Sequence, residues 1–194
     1  MLKIDKGEPW VMWPDNLVSK FIDKPANQIF EHDGDYEFNM VFELLEDVTD
    51  KVSIFSKLPN YFGLDLVPNG GALIYSYKNT IDVFYEFQEC TWDKNTKYDL
   101  KITKTGNNLK TTINGTVFFD IELTYPIDGS DNSHIVFGAG NFPKNGFNLN
   151  YVTYNLHYLS ITRDGEMVCE HKFKEFIHGK SFDLTDNCNF IFKI

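Results

Sequence analysis

The feature that most restricts how this chain can fold is a hydrophobic period of two. In YEFNMVFEL (36–44), apolar side chains stand at every second position, and the positions between them are mostly polar. Because successive side chains of a strand point to opposite faces, this pattern predicts a strand with one buried face. The same alternation in IDVFYEF (81–87), with Phe87 in its apolar set, and in YDLKIT (98–103) predicts two more such strands. The residues expected to face inward in the first and third segments are Tyr36, Phe38, Met40, Phe42, Leu44, Tyr98, Leu100 and Ile102.

Turn residues separate these segments and predict how they connect. Asn114-Gly115 lies between LKTTI and TVFFD, and Asp164-Gly165 lies between LHYLSITR and EMVCEHKF. Both pairs tolerate the positive φ angles of a type I′ hairpin turn. Helical patterns are confined to residues 15–22 and 173–179. About a dozen short strands with frequent turns predict an all-β fold, a two-sheet antiparallel sandwich of the jelly-roll type with minimal helix.

The balance of charge disfavours two classes of partner. The 194-residue chain carries 28 Asp and Glu against 18 Lys and Arg, a formal net charge of -10. Such a chain repels phosphate backbones and anionic membrane surfaces. No apolar run approaches the roughly 20 residues that span a bilayer. We therefore expect neither a nucleic-acid partner nor a membrane partner.

Cysteine usage and residue bias indicate an intracellular or viral setting. Cys90, Cys169 and Cys188 are widely spaced without a CxxC motif, which predicts no disulfide framework and favours a reducing environment. The opening MLKIDKGEPW lacks the apolar run of a secretory signal. Arg163 is the single arginine, a bias typical of AT-rich genomes such as those of many phages and some viruses. We expect a cytoplasmic or virion location.

The order of the segments resembles the concanavalin A-like lectin/glucanase superfamily, closest in style to its laminin G-like and pentraxin-like members. The resemblance is carried by DGDYEFNMVFELLE (33–46), TWDKNTKYDLKIT (91–103), Ile113-Asn114-Gly115 and HIVFGAGN (134–141). It covers roughly residues 28–194, which we expect to form the β-sandwich domain. Residues 1–27 would then be an N-terminal extension that packs on this domain.

The segment EHDGDYEF (31–38) places carboxylates at every second position, and paired carboxylates are the catalytic groups of glycoside hydrolases. However, Asp33-Gly34-Asp35 is turn chemistry, so the strand is expected to begin at Tyr36 and the carboxylate row to break at Gly34. The resemblance implies a Glu-x-Asp-x-x-Glu motif for retaining glucanases, and its last Glu is missing here. We expect a solvated turn.

Glu86, in FYEFQEC, is a second candidate carboxylate. The resemblance implies a Glu-x-Asp metal pair on a comparable strand, but this chain has Glu86-Phe87-Gln88, and Gln is the weaker ligand. Glu86 is therefore expected as an outward polar residue and a candidate ligand contact. An alternative is a glycoside hydrolase that uses Glu86 with Glu37 or Glu43.

One loop offers oxygen donors for a metal ion. Asp128, Asp131 and Asn132 lie within five residues, and calcium takes six to eight oxygen ligands, often from such loops. The loop lacks the spacing of an EF-hand and its terminal Glu. Calcium is thus the one cofactor that the sequence suggests, with a hydrophilic turn as the alternative.

The segment GAGNFPKNGFNLNY (138–151) is the strongest candidate for ligand binding. Sugars are recognised by amide hydrogen bonds to hydroxyls and by an aromatic face against the C–H side of the ring, and this segment mixes both kinds of group. A long connection with its aromatics tucked into the core is the alternative. The candidate ligand residues here are Asn141, Phe142, Asn145, Asn148 and Tyr151.

Catalytic motifs are absent from the sequence: no GxSxG, HExxH, P-loop or Rossmann pattern occurs. A two-residue turn at Asp164-Gly165 would pair residue 157 with residue 172, which sets His157 and His171 on opposite faces. We therefore expect no catalytic residues and a non-catalytic, lectin-like module that binds carbohydrate or a partner protein. The alternatives are the hydrolase and a purely structural assembly domain, and we also expect a homo-oligomer or a phage or viral structural component.

Overall fold

The computed structural model describes residues 1–7, 10–14, 34–57, 62–76, 83–123, 135–142, 146–149, 152–173, 176–177, 180–181 and 188–193. All regular secondary structure in these residues is β-strand. The strands are β1 Leu2–Ile4, β2 Trp10–Pro14, β3 Tyr36–Leu44, β4 Val52–Lys57, β5 Phe62–Val67, β6 Gly70–Ser76, β7 Val83–Glu89, β8 Lys97–Thr105, β9 Asn108–Ile113, β10 Thr116–Glu122, β11 Ile135–Phe137, β12 Ala139–Phe142, β13 Gly146–Leu149, β14 Tyr154–Arg163, β15 Glu166–His171, β16 Phe176–Ile177, β17 Lys180–Ser181 and β18 Cys188–Lys193.

The strands form two antiparallel sheets and one short hairpin. Sheet A has the order β1-β14-β3-β8-β9-β10, and β15 also pairs with β14. Sheet B has the order β16-β17-β18-β2-β11-β4-β5-β6-β7, and in the described part of the chain β12 and β13 form a separate two-stranded hairpin. The predicted all-β, two-sheet antiparallel sandwich is confirmed.

The core lies between the two sheets and uses the predicted inward face of β3. This strand alternates buried and half-buried residues over its whole length, Tyr36–Leu44. The Phe38 ring stacks on Phe55 of β4, with ring centroids 4.7 Å apart. The Tyr154 hydroxyl on β14 donates a hydrogen bond of 2.6 Å to the Ile54 carbonyl. Stacked rings and a buried hydrogen bond thus join sheet A to sheet B.

Both predicted hairpin turns have the backbone that their residues favour. The φ angles are 51° at Asn114, 77° at Gly115, 49° at Asp164 and 83° at Gly165. Asn114 also accepts the Asp99 N–H at its side-chain oxygen, at 2.8 Å. Positive φ at both central positions defines the type I′ turn, so the meander and the second hairpin are confirmed.

The register beyond the Asp164-Gly165 turn differs from the prediction by one residue. The ladder pairs Thr162 with Met167 but Ile161 with Cys169, and this bulge carries Leu159 opposite His171. A bulge inserts one extra residue into a strand, which the turn sequence alone does not reveal. His171 is nevertheless fully buried and stacks on Phe173, whereas His157 is half-buried and lies 2.9 Å from Glu43 Oε2, so the two histidines have different partners.

Phe87 is the residue whose predicted environment is wrong. Its side chain is 55% exposed, although the alternation in 81–87 places it with the apolar set. β7 is an edge strand of sheet B, where one flank lacks a neighbouring strand among the described residues. Alternation separates the two faces of a strand but does not show which face meets the core, and Phe87, opposite Ala72, lies on the outer one.

The prediction about cysteine is also wrong. Cys169 is fully buried on β15 and is disulfide-bonded, whereas Cys90 is a free thiol. Wide spacing along the chain does not report distance in a sandwich, because long connections bring remote strands together.

Residues near the N-terminus belong to both sheets. β1 pairs with β14 in sheet A, and β2 pairs with β11 and β18 in sheet B. The proposed boundary between residues 27 and 28 and the helical pattern at 15–22 lie outside the described residues, and the boundary stays a prediction. Within 173–179, the described residues Phe176–Ile177 form strand β16. In the described residues no helix is long and apolar enough to cross a membrane.

Candidate functional site

The outer face of sheet B carries a row of four residues that combine an aromatic ring with a carboxylate. The register pairs Ser53 with Asp65, Asp65 with Ala72 and Ala72 with Phe87. Directly paired residues of neighbouring strands share a face. The alternate residues of β5 and β6, such as Leu64 and Leu73, are fully buried in the core. Ser53, Asp65, Ala72 and Phe87 therefore lie on the face away from the core, and we call them the outer row.

Phe87 forms an open platform at one end of the outer row. A Cβ atom built at Gly70 would lie 2.5 Å from Phe87 Cζ and 2.5 Å from the Gln88 carbonyl oxygen. The ring therefore lies close against the backbone of β6, at a residue that has no side chain. With more than half of the side chain exposed, the rest of the ring is open to solvent.

Asp65 forms a polar cluster two strands away. Its Oδ1 accepts a hydrogen bond of 2.5 Å from the Ser53 hydroxyl. Its Oδ2 forms an ion pair with Lys51 Nζ, at 2.7 Å. Asp65 is 4% exposed, whereas the Lys51 side chain is 39% exposed. Each carboxylate oxygen can accept more than one hydrogen bond, so Asp65 has acceptor capacity beyond these two contacts.

The hairpin β12–β13 covers the neighbouring part of the same face. Ser56 on β4 donates a hydrogen bond of 2.9 Å to the Ala139 carbonyl, and Ser56 pairs with Val136 of β11. Val136 and Ala139 are fully buried and form a small apolar cluster separate from the main core. The hairpin thus borders one side of the outer face, next to the polar cluster of Asp65.

The segment predicted as a binding loop is this hairpin. The ladder pairs Asn141 with Phe147 and Gly140 with Asn148. Pairs on successive rungs alternate between faces, so Asn141 and Asn148 hold positions on opposite faces of the hairpin. Phe142 holds the last described position of β12. The ligand role of these residues stays a prediction.

Several predicted site residues lie outside the described residues. They include two ligand candidates and the whole proposed calcium loop, which therefore stays a prediction. Within the described ranges, no group of three or more His, Cys, Asp or Glu residues could hold a metal ion. The residues in question are Asn145, Tyr151, Asp128, Asp131 and Asn132.

The residues of the hydrolase alternative belong to different sheets. Glu86 pairs with Leu73 in sheet B, whereas Glu37 and Glu43 lie on β3 of sheet A. Glu37 and Glu43 are six residues apart on one strand, about 20 Å at roughly 3.3 Å per residue. Paired glycosidase carboxylates stand about 5 to 10 Å apart.

Both sheet A carboxylates have local partners. Lys101 Nζ lies 2.6 Å from Glu37 Oε2, and Asn39 donates to Glu37 Oε1 at 2.8 Å. Partial burial opposes ionisation of Glu37, but the bonds from Lys101 and Asn39 outweigh it and lower its pKa. His157 Nε2 lies 2.9 Å from Glu43 Oε2, and this bond, together with one from Asn155, lowers the pKa of Glu43. A lowered pKa suits a structural ion, not a general acid.

Within the segment EHDGDYEF, β3 begins at Tyr36 as predicted. Asp35 accepts the Gly106 N–H at its side chain, at 2.8 Å, and its own N–H donates to the Asp164 side chain at 3.0 Å. Asp35 therefore connects two hairpin turns at one end of sheet A. Glu31 and Asp33 lie outside the described residues.

Asp65 and Lys51 did not emerge as candidates from the sequence. A clue existed in FGLDLV (62–67), where Asp65 is the one charged residue in an apolar strand. A buried carboxylate needs partners, and such a residue is therefore a candidate site. The sequence does not show that Asp65 and Phe87 lie in one row, because they are 22 positions apart in the chain.

Comparisons with known proteins identify the fold. No protein-family model matches the sequence, and no curated protein matches it. A candidate carbohydrate binding protein from Bacteroides ovatus overlays the chain with a TM-score of 0.63 at 13% identity, covering 98% of this chain and 58% of that one. The carbohydrate-binding module CBM40 of the Ruminococcus gnavus IT-sialidase overlays with a TM-score of 0.50 at 10% identity, covering 80% of this chain and 90% of that one.

Longer proteins share the fold as well. A botulinum neurotoxin type C structure, described by its dependence on two ganglioside molecules for cell entry, overlays with a TM-score of 0.54 at 11% identity, covering 86% of this chain and 43% of that one. An alginate lyase of polysaccharide lyase family 7 overlays with a TM-score of 0.48 at 11% identity, covering 69% of this chain and 64% of that one, too weak a likeness to carry an argument. The chain spans less than two thirds of the Bacteroides, toxin and lyase chains. At these identities the likeness shows the fold alone, a jelly-roll β-sandwich compatible with the concanavalin A-like type.

Proposed function

We propose that this protein is a non-catalytic carbohydrate-binding module that holds a sugar on the outer row of sheet B. The observation that carries this proposal is the placement of the exposed Phe87 ring and the Asp65 carboxylate in one row, separated by the small side chain of Ala72. An aromatic face for the C–H side of a sugar and an acceptor for its hydroxyls are the two groups that such recognition needs.

The spacing of the row fits a single sugar unit. Neighbouring strands lie about 4.8 Å apart, so two strand spacings separate the backbones of Phe87 and Asp65 by about 10 Å. A pyranose ring stacked on Phe87 would extend over Ala72 and direct a hydroxyl toward Asp65. Lys51 would supply a donor at the far side, and the β12–β13 hairpin would limit how far the ligand extends.

The fold neighbours support the choice of ligand class. The names of the Bacteroides protein and of CBM40 refer to carbohydrate binding, and the toxin structure is described by gangliosides. Membership in the concanavalin A-like superfamily is part of the same proposal, as are the carbohydrate or protein partner and the location in the cytoplasm or a virion. A role in phage or virus assembly remains a further proposal, which the mass of the particle in solution would test.

A glycan array with the purified chain, followed by calorimetric titration of the best ligand, tests the function. Phe87→Ala should weaken binding about tenfold or more, the loss expected for one stacking contact of roughly 1.4 kcal/mol. Val117→Ala is the matched control, because Val117 is 50% exposed but lies on β10 of sheet A. Its affinity should equal that of the wild type.

Two results would refute the proposal. One is a wild-type chain that binds no glycan, with calcium or with a chelator present. The other is a Phe87→Ala variant that folds and binds as tightly as the Val117→Ala control. A calcium requirement would in turn support the proposed loop of Asp128, Asp131 and Asn132.

A further inference from the structure

The charges on the outer face of sheet B are unevenly placed. Lys51 and Asp65 form an ion pair of 2.7 Å, so their charges largely cancel. Glu89 is exposed two residues after Phe87 on the same strand, and it pairs with Gly70 beneath the Phe87 ring. Residues two apart on a strand share a face. Among the described residues of this face, the charge beside the platform is therefore negative.

The charged groups beside the Phe87 ring accept hydrogen bonds but do not donate them. Ionised carboxylates only accept hydrogen bonds, and both Asp65 and Glu89 are carboxylates. Neutral sugars present several hydroxyl donors, which these acceptors can bind. A sugar acid presents a carboxylate, which neither acceptor can bind.

We infer that the site selects neutral sugars and discriminates against sialylated or uronic-acid sugars. This inference rests on the proposed function. A ligand carboxylate placed about 5 Å from Glu89 meets a like charge, which lowers affinity on the order of 100-fold at an effective dielectric constant near 20. The formal net charge of -10 on the chain adds a repulsion that salt screens.

This selectivity differs from the ligands that describe some fold neighbours. One solved botulinum neurotoxin binding domain is described in complex with SialylT, and it overlays the chain with a TM-score of 0.53 at 12% identity. Since that likeness shows only a shared backbone, the charges on the outer face decide the ligand class.

Matched glycan pairs test the inference. Each neutral oligosaccharide, such as lactose, is titrated beside its sialylated derivative, such as sialyllactose, at low and at physiological salt. The neutral member should bind at least tenfold more tightly, and the ratio should shrink as salt rises. Glu89→Gln should reduce the ratio severalfold by improving binding of the acidic member. Glu122→Gln, on the exposed edge strand β10 of sheet A, should leave the ratio unchanged.

The outcomes separate this inference from the function on which it rests. If sialylated glycans bind as tightly as their neutral partners or more tightly, the selectivity is refuted while carbohydrate binding stands. If neutral glycans bind preferentially but Phe87→Ala and Glu89→Gln change nothing, the outer row is not the selective site and the inference also fails. If no glycan of either class binds, the proposed function itself fails.

Discussion

At the scale of single residues, Gly70 shapes the candidate site because it has no side chain, which lets the Phe87 ring lie against its backbone. We expect Gly70→Ala to destabilise the fold by about 1–3 kcal/mol, because the added Cβ would clash with the Phe87 ring and the Gln88 carbonyl oxygen. Gly70→Ala should also weaken sugar binding, because the Phe87 ring must move to make room for the added Cβ. Gly106→Ala is the control, because its Cβ would enter open space at a φ of 56° and should cost only about 1 kcal/mol. Urea unfolding of both variants measures the difference, and equal losses would contradict the packing of Phe87 on Gly70.

Glu43 predicts a specific pH dependence of stability. Hydrogen bonds from His157 and Asn155 hold its pKa below the ordinary value of 4.5. A carboxylate whose pKa is lowered by folding stabilises the folded state above its unfolded pKa, and this contribution is lost as the pH falls through its folded pKa. Between pH 7 and pH 3, the wild type should therefore lose more stability than Glu43→Gln. Glu122→Gln serves as the control and should follow the wild type, and a Glu43→Gln curve parallel to it would contradict the assignment.

At the scale of elements, a buried hydrogen bond from Ser56 helps to attach the β12–β13 hairpin to β4. Ser56→Ala leaves the buried Ala139 carbonyl without its donor, so we expect a loss of about 1–3 kcal/mol. Amide hydrogen exchange across 139–149 should accelerate, because the hairpin loses its anchor. The matched control is Ser160→Ala, which removes another buried hydroxyl, in sheet A, where it contacts Asn39. Ser160→Ala should leave amide exchange in the hairpin unchanged. Faster exchange there in both variants would mean that the whole fold has lost stability, and it would contradict a specific role of Ser56.

Strands differ in how far the sequence alone predicts them. The bounds of β3 and its inward residues follow directly from alternation, because β3 lies within sheet A with a neighbour on each side. The exposure of Phe87 does not follow from alternation, because β7 lies at a sheet edge. The His171 register fails for a similar reason, since one bulge shifts every later pair.

At the scale of the whole molecule, the cysteines predict a measurable thiol count. Burial raises the pKa of the free Cys90 thiol to about 11, so the native protein should react slowly with thiol reagents at neutral pH. The denatured, unreduced chain should show one thiol, and the reduced chain three, because Cys169 is disulfide-bonded. Reduction should cost about 2–4 kcal/mol of stability. Three thiols before reduction would contradict the disulfide.

The sequence by itself determined the local features of this protein: the all-β class, the inward face of β3, and the Asn114-Gly115 and Asp164-Gly165 turns. These follow from alternation and from backbone preferences within a few residues. Only the tertiary structure decided which strands are edges and which distant residues share a row, as Phe87 and Asp65 do. Pairing between remote strands is fixed by the packing of the whole core, and no short stretch of sequence contains that information.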